Sequence, residues 1–171
     1  MTKTDASIIP TCPGDRLSCP TIDRDGRKIV NTHTYIPFFL SSVNNALSRG
    51  ASNLYREMFG VGIVEWRTIS MLAIEPRITA NRICEVIHLD KAATSRALRQ
   101  LLGDGHVDFL ASETDERKRV WWLSPSGYDL HERILTVALQ REARLIQGVD
   151  PHDLEAFLRV MRRMQQNISD V

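Results

Sequence analysis

Apolar residues recur along this chain at helical spacing, with one break in the middle. From about Ile36 to Phe59, the residues Ile36, Phe39, Leu40, Val43, Leu47, Leu54 and Met58 follow three- and four-residue steps. That spacing predicts one long amphipathic helix. Thr34 is the expected N-cap, Pro37 fits the first turn, and Gly60 ends the helix. A second helix is expected at roughly 63–74, with Trp66, Ile69, Leu72 and Ala73 on one face, broken by Glu75-Pro76-Arg77. Thr79 caps a short helix over 80–87, His88-Leu89 turns the chain, and Asp90 caps a further helix over 91–103. There the period changes. Val107-Asp108-Phe109-Leu110 and Val120-Trp121-Trp122-Leu123 read as two short strands around a charged tip. Pro125 then opens a long helix to about Gln147 with Leu130, Ile134, Val137, Ala138 and Leu145 as its stripe. Gly148 ends it, and Asp150-Pro151 caps a last helix carrying Leu154, Phe157, Leu158, Met161, Met164 and Ile168.

The expected fold class is therefore mainly α with a small β-hairpin. The order helix, turn, helix, hairpin, helix is that of a winged helix-turn-helix, flanked by long N- and C-terminal helices suited to dimerisation. Residues 1–33 differ in character: Pro10, Pro13, Pro20, Gly14 and Gly26 are scattered among charges, which predicts an irregular extension. The expected domains are that extension, dimerisation helices at 34–60 and 125–171, and a DNA-binding lobe at 61–124.

On a helical wheel for 91–103, Ala93, Ala97, Leu98, Leu101 and Leu102 fall on one side, and Thr94 projects toward it. Ala92, Ser95, Arg96 and Arg99 fall on the other. Small residues near the helix start permit close approach to a partner surface. Arginine forks onto guanine or phosphate, and serine adapts to either base. Lys91 is within reach of a phosphate. At the hairpin tip, Arg117 suits a narrow minor groove, Asp115 can orient it, and Lys118 and Arg119 are candidate phosphate contacts.

Charge adds little to this picture. The chain of 171 residues has a net charge of +1, and residues 75–120 contain eight acids and eight bases. A DNA contact must therefore rest on local placement rather than on a global basic field. No apolar run approaches the roughly 20 residues that span a bilayer, and the N-terminus lacks a signal-peptide core, so a cytoplasmic protein without membrane contact is expected. The three cysteines, Cys12, Cys19 and Cys84, lack metal-site spacing, and reduced thiols are expected. No nucleophile triad, phosphate loop or metal-spaced set appears, so neither an enzyme nor a cofactor or metal site is expected.

The ordered elements over about 34–168 resemble the MarR family of transcriptional regulators. The local matches are Asp115-x-Arg117 leading into Leu123-Ser124-Pro125-x-Gly127, and Thr94-Ser95-Arg96 ending near Leu101-x-x-x-Gly105. The resemblance implies a homodimer whose two recognition helices enter successive major grooves of a pseudo-palindromic double-stranded operator. It also implies repression relieved by a small aromatic effector bound beside the dimer helices. Tyr35, Phe39, Ser42, Trp66, Arg67 and Met71 are the expected effector residues, with His131 a possible polar group. Family members that bind aromatic acids often place an arginine on the first helix. This chain has Ser41-Ser42 there, which points to a phenol, an aldehyde or a bulkier conjugate. Two alternatives remain open: a winged-helix module that binds protein, and a cysteine-based redox-sensing regulator.

Overall fold

The computed structural model describes residues 16–111 and 119–168. The chain folds as two compact units, one running to Ile63 and one beginning at Val64. The closing helices thus share a unit with the winged lobe, whereas the sequence reading grouped them with the first helix.

The first unit corrects the expectation of an irregular extension. Thr21–Arg24 (β1) and Arg27–Val30 (β2) pair antiparallel, with Ile22 opposite Ile29 and Arg24 opposite Arg27. Asp25 and Gly26 link them, both at positive φ (55° and 75°), as a two-residue primed turn requires. The Asp23 carboxylate accepts from the Gly26 N–H at 3.0 Å, which holds the turn shut. Asp-Gly between strand-forming residues was the available signal, obscured by the prolines before it. Helix α1 spans Ile36–Phe59 and ends at Gly60, in the left-handed region. Its N-cap is Tyr35, with no side-chain cap bond. Thr34, the expected cap, instead donates its hydroxyl to the Cys19 carbonyl, and its own carbonyl accepts from Arg16 at 2.6 Å. Cys19 is disulfide-bonded, contrary to the expectation of reduced thiols, whereas Cys84 is free.

Helix α2 spans Ile63–Ile74 and is followed by a two-residue strand β3, Ile78–Thr79, which the hydrophobic pattern was too short to reveal. Helices α3 (Ala80–Ile87) and α4 (Lys91–Gly103) come next, then strands β4 (Val107–Leu110) and β5 (Val120–Leu123), and helices α5 (Pro125–Leu145) and α6 (Pro151–Asn167). The sheet order is β3-β5-β4, all antiparallel. Strand alternation puts Val107, Phe109, Trp121, Leu123 and Ile78 on the inner face. They close a core with Ile69 and Leu72 of α2, Ile83 of α3, Ala97, Leu98 and Leu101 of α4, and Leu130 and Ile134 of α5.

The start of α5 is tied to the turn before β4. Ser124 caps α5 by accepting from the Gly127 N–H at 3.1 Å and donates to the Gly105 carbonyl at 2.7 Å. A side chain at Gly127 would overlap the His106 carbonyl, so only glycine allows this approach. Beyond Ile134 the apolar stripe of α5 loses its cover, leaving Leu139 and Leu145 exposed, and α6 has no buried residue.

Candidate nucleic-acid interface

The two helices of the helix-turn-helix are fixed by short-range polar bonds. Thr79 caps α3 by accepting from the Arg82 N–H at 3.2 Å. The Arg82 guanidinium reaches back to both Glu75 oxygens at 3.1–3.2 Å, which joins the end of α2 to α3. That hydrogen bond, followed by the Glu75 charge, holds Arg82 above its ordinary pKa. His88 makes the turn in the left-handed region, and Asp90 caps α4 by accepting from the Ala93 N–H at 2.8 Å. Thr94 is wholly buried. Its hydroxyl donates to the Asp90 carbonyl at 3.2 Å and accepts from the Cys84 thiol at 3.2 Å, pinning α4 to α3. Cys84 is thereby a packing residue of the motif.

With α4 held this way, its outward face is set. Lys91, Ala92, Ser95, Arg96 and Arg99 are exposed, while Thr94, Ala97, Leu98 and Leu101 are buried, as the wheel predicted. Arg99 Nε donates to the Ser95 carbonyl at 3.4 Å, laying this side chain along the helix. The face therefore offers three cations and a hydroxyl, with only an alanine methyl to obstruct approach.

Two cations are laid on aromatic rings of the wing. Arg119 lies over Phe109, 4.5 Å from the ring centroid, and Phe109 in turn packs on Trp121 at 5.0 Å. Among the described residues the buried Arg119 Nε has no hydrogen-bond partner, and the ring face of Phe109 is what this guanidinium rests on. A notch of about 260 Å³ lies beside it, lined by Ala80, Ser95, Leu98, Arg99, Leu102 and Trp121. On the outer face of the sheet, Arg77 lies over Trp122 at 4.7 Å. Sequence reasoning saw Arg77 only as part of a helix break. Its left-handed backbone (φ 61°) and its aromatic neighbour become visible only once β3 pairs with β5. Asp115, Arg117 and Lys118 lie outside the described residues.

The expected effector residues divide between the units. In the first, Tyr35 and Phe39 are exposed at 39% and 49%, and Ser42 lines a groove on α1 with Phe38, Ser41, Asn45, Ala46 and Arg49. In the second, Trp66 stacks on His131 at 5.5 Å with 25° between ring planes, and Arg67 is half-buried. Met71 is only 4% exposed and belongs to the core. Among the described residues there is no cluster of histidine, cysteine or acidic side chains that could hold a metal, and no helix long and apolar enough to cross a membrane.

A recognition helix braced by a three-stranded wing defines the second unit as a winged helix-turn-helix domain. Residues 59–118 match the family model described as the MarR family. A curated relative, the HTH-type transcriptional regulator PetP of Rhodobacter capsulatus, is 25% identical over 60% of this chain, and the chain matches 62% of that protein's length. Among solved structures, a MarR/EmrR family transcriptional regulator from Acinetobacter sp. ADP1 superposes with a TM-score of 0.76 at 23% identity, over 83% of this chain and 100% of that one. The MepR–DNA complex of S. aureus superposes with a TM-score of 0.67 at 18% identity, over 81% of this chain and 99% of that one. Over residues 59–118 the chain is thus similar to the MarR family of transcriptional regulators, and it shares the fold of the solved structures of that family.

Proposed function

We propose that this protein is a homodimeric, DNA-binding transcriptional regulator that represses its target from a pseudo-palindromic operator. The observation that carries the reading is the sorted surface of α4. Its buried side is fixed by Thr94 and the core leucines, so Lys91, Ser95, Arg96 and Arg99 present a constant exposed face. MepR, whose fold this chain shares, has been crystallised with DNA, which supports the same use of the motif here. Arg119, Arg117 and Lys118 extend the contact to the wing in this reading, with Asp115 orienting Arg117. A small aromatic effector releases the DNA, and Trp66 and Arg67 are its central residues.

Duplex binding measured across a salt series tests the proposal, with DNA from beside the protein's own gene as the probe. The logarithm of the binding constant is expected to fall linearly with the logarithm of salt concentration. Arg96→Gln and Arg99→Gln should each lower affinity. If either residue contacts a phosphate, its loss should flatten the slope by about 0.9. Contact with a base edge should instead cost roughly 1–3 kcal/mol at selected positions. Absence of salt-dependent duplex binding would favour a module that binds protein.

A further inference from the structure

The β1–β2 hairpin presents a charge arrangement that the winged helix does not account for. Arg24 and Arg27 stand directly opposite each other across the ladder, flanking the turn. Residues so placed have Cα atoms about 5.5 Å apart and side chains on the same face. Two guanidinium groups held there repel each other, and like charges directly opposite destabilise a ribbon. Among the described residues no acidic side chain pairs with either arginine. Asp23, the nearest acid on the strands, spends a carboxylate oxygen on the Gly26 N–H and sits on the other face, opposite Lys28. All eight strand residues are exposed. A two-stranded ribbon alone is marginal in water, yet this one is built with a specific primed turn that fixes its tip. The tip thus holds two like charges together, an arrangement that an anion bridging them would stabilise.

We propose that this hairpin is a second DNA-contacting ribbon, with Arg24 and Arg27 converging on the sugar-phosphate backbone of the duplex. Two arginines opposed on one face of a ribbon can bring both guanidinium groups onto the oxygens of a single phosphodiester. The ribbon lies outside residues 59–118, so it adds a contact that the matched family region does not contain. Asp25 stands at the tip because its turn position demands positive φ, which aspartate and asparagine tolerate better than most residues. This inference rests on the DNA-binding reading above.

The test is duplex binding by the full chain carrying Arg24→Gln and Arg27→Gln, across the same salt series. The salt slope should flatten by about one to two, and affinity at moderate salt should fall roughly tenfold. The melting temperature should hold or rise, because a repulsive pair has been removed. Asp25→Asn keeps the turn and deletes a negative charge between the two arginines, so it should tighten binding. Wild-type slope and affinity in the double variant would overturn the proposal, as would unchanged or weaker binding by Asp25→Asn. Arg96→Gln separates the two readings. If it weakens binding while the hairpin variants bind normally, only the hairpin inference falls. If the wild-type protein shows no salt-dependent duplex binding, the DNA-binding reading falls first and takes the hairpin with it.

Discussion

Gly127 shows how much can depend on a missing side chain. It lies in the first turn of α5, with its N–H bonded to Ser124 and its α-carbon against the His106 carbonyl. A Cβ there would overlap backbone rather than a flexible side-chain tip, and would also approach the Leu123 Cβ at 3.3 Å. The surrounding backbone is fixed by the Ser124–Gly105 bond and by the Ser124 N–H donating to His106 at 3.1 Å. Gly127→Ala therefore has to separate α5 from the β4 turn. Overpacking of this kind costs about 1–3 kcal/mol or more. Urea denaturation should show that loss, and an unchanged midpoint would mean that the turn yields more easily than its bonds suggest. Gly127 closes the motif Leu123-Ser124-Pro125-x-Gly127, but the reason for glycine there is not local. The cause is a contact between segments some twenty residues apart, which no local pattern reports.

At the level of elements, legibility followed length and the locality of the signal. The helices from 36 to 168 were readable because each has a stripe and most have a cap. Asp90 and Ser124 are local signals, and both side chains cap as their residue types require. The first hairpin and β3 were not read. One hides its Asp-Gly turn behind a proline-rich lead, and the other is two residues long with an identity that comes only from pairing with β5. Thr34 failed as a cap because its hydroxyl found the Cys19 carbonyl, a partner fifteen residues away. The candidate site divided in the same way. The outward face of α4 followed from helical period alone, whereas the aromatic platforms under Arg77 and Arg119 depend on strand register. Asp90 allows a direct test of the cap. Asp90→Ala removes the acceptor for the Ala93 N–H and should cost about 1 kcal/mol. Because α4 carries the proposed contact face, fraying of its first turn should also weaken duplex binding. Thermal melting and duplex titration on the same sample check both. Full stability with normal binding would show that Thr94, still tied to the Asp90 backbone, suffices to hold the helix start.

At the level of the whole molecule, the apolar stripes of the long helices reach the surface. Phe39 and Met58 on α1 are each 49% exposed, and Phe157 on α6 is 53% exposed. Isolated apolar residues on a surface are normal, but stripes on long helices at both ends of a chain call for a partner. A second copy is the economical one, since a twofold dimer presents the same patch to itself. Light scattering at micromolar concentration should therefore report a dimer, and Phe157→Asp should give monomer or insoluble chain. A soluble, folded monomer of the unaltered protein would contradict this. The proposed release by an effector adds a constraint at the same scale. A ligand that lowers DNA affinity must bind the DNA-free protein more tightly by the same factor, typically about 5–150-fold. Trp66 is the residue to test. It is half-buried and stacked flat on His131, so an aromatic face already satisfied by one ring can exchange it for another. A thermal-shift screen of small aromatics should find a compound that raises the melting temperature of the DNA-free protein and releases the duplex. Trp66→Ala should lose both effects while binding the duplex as before. If the variant still releases DNA at the wild-type concentration, the effector does not use this ring.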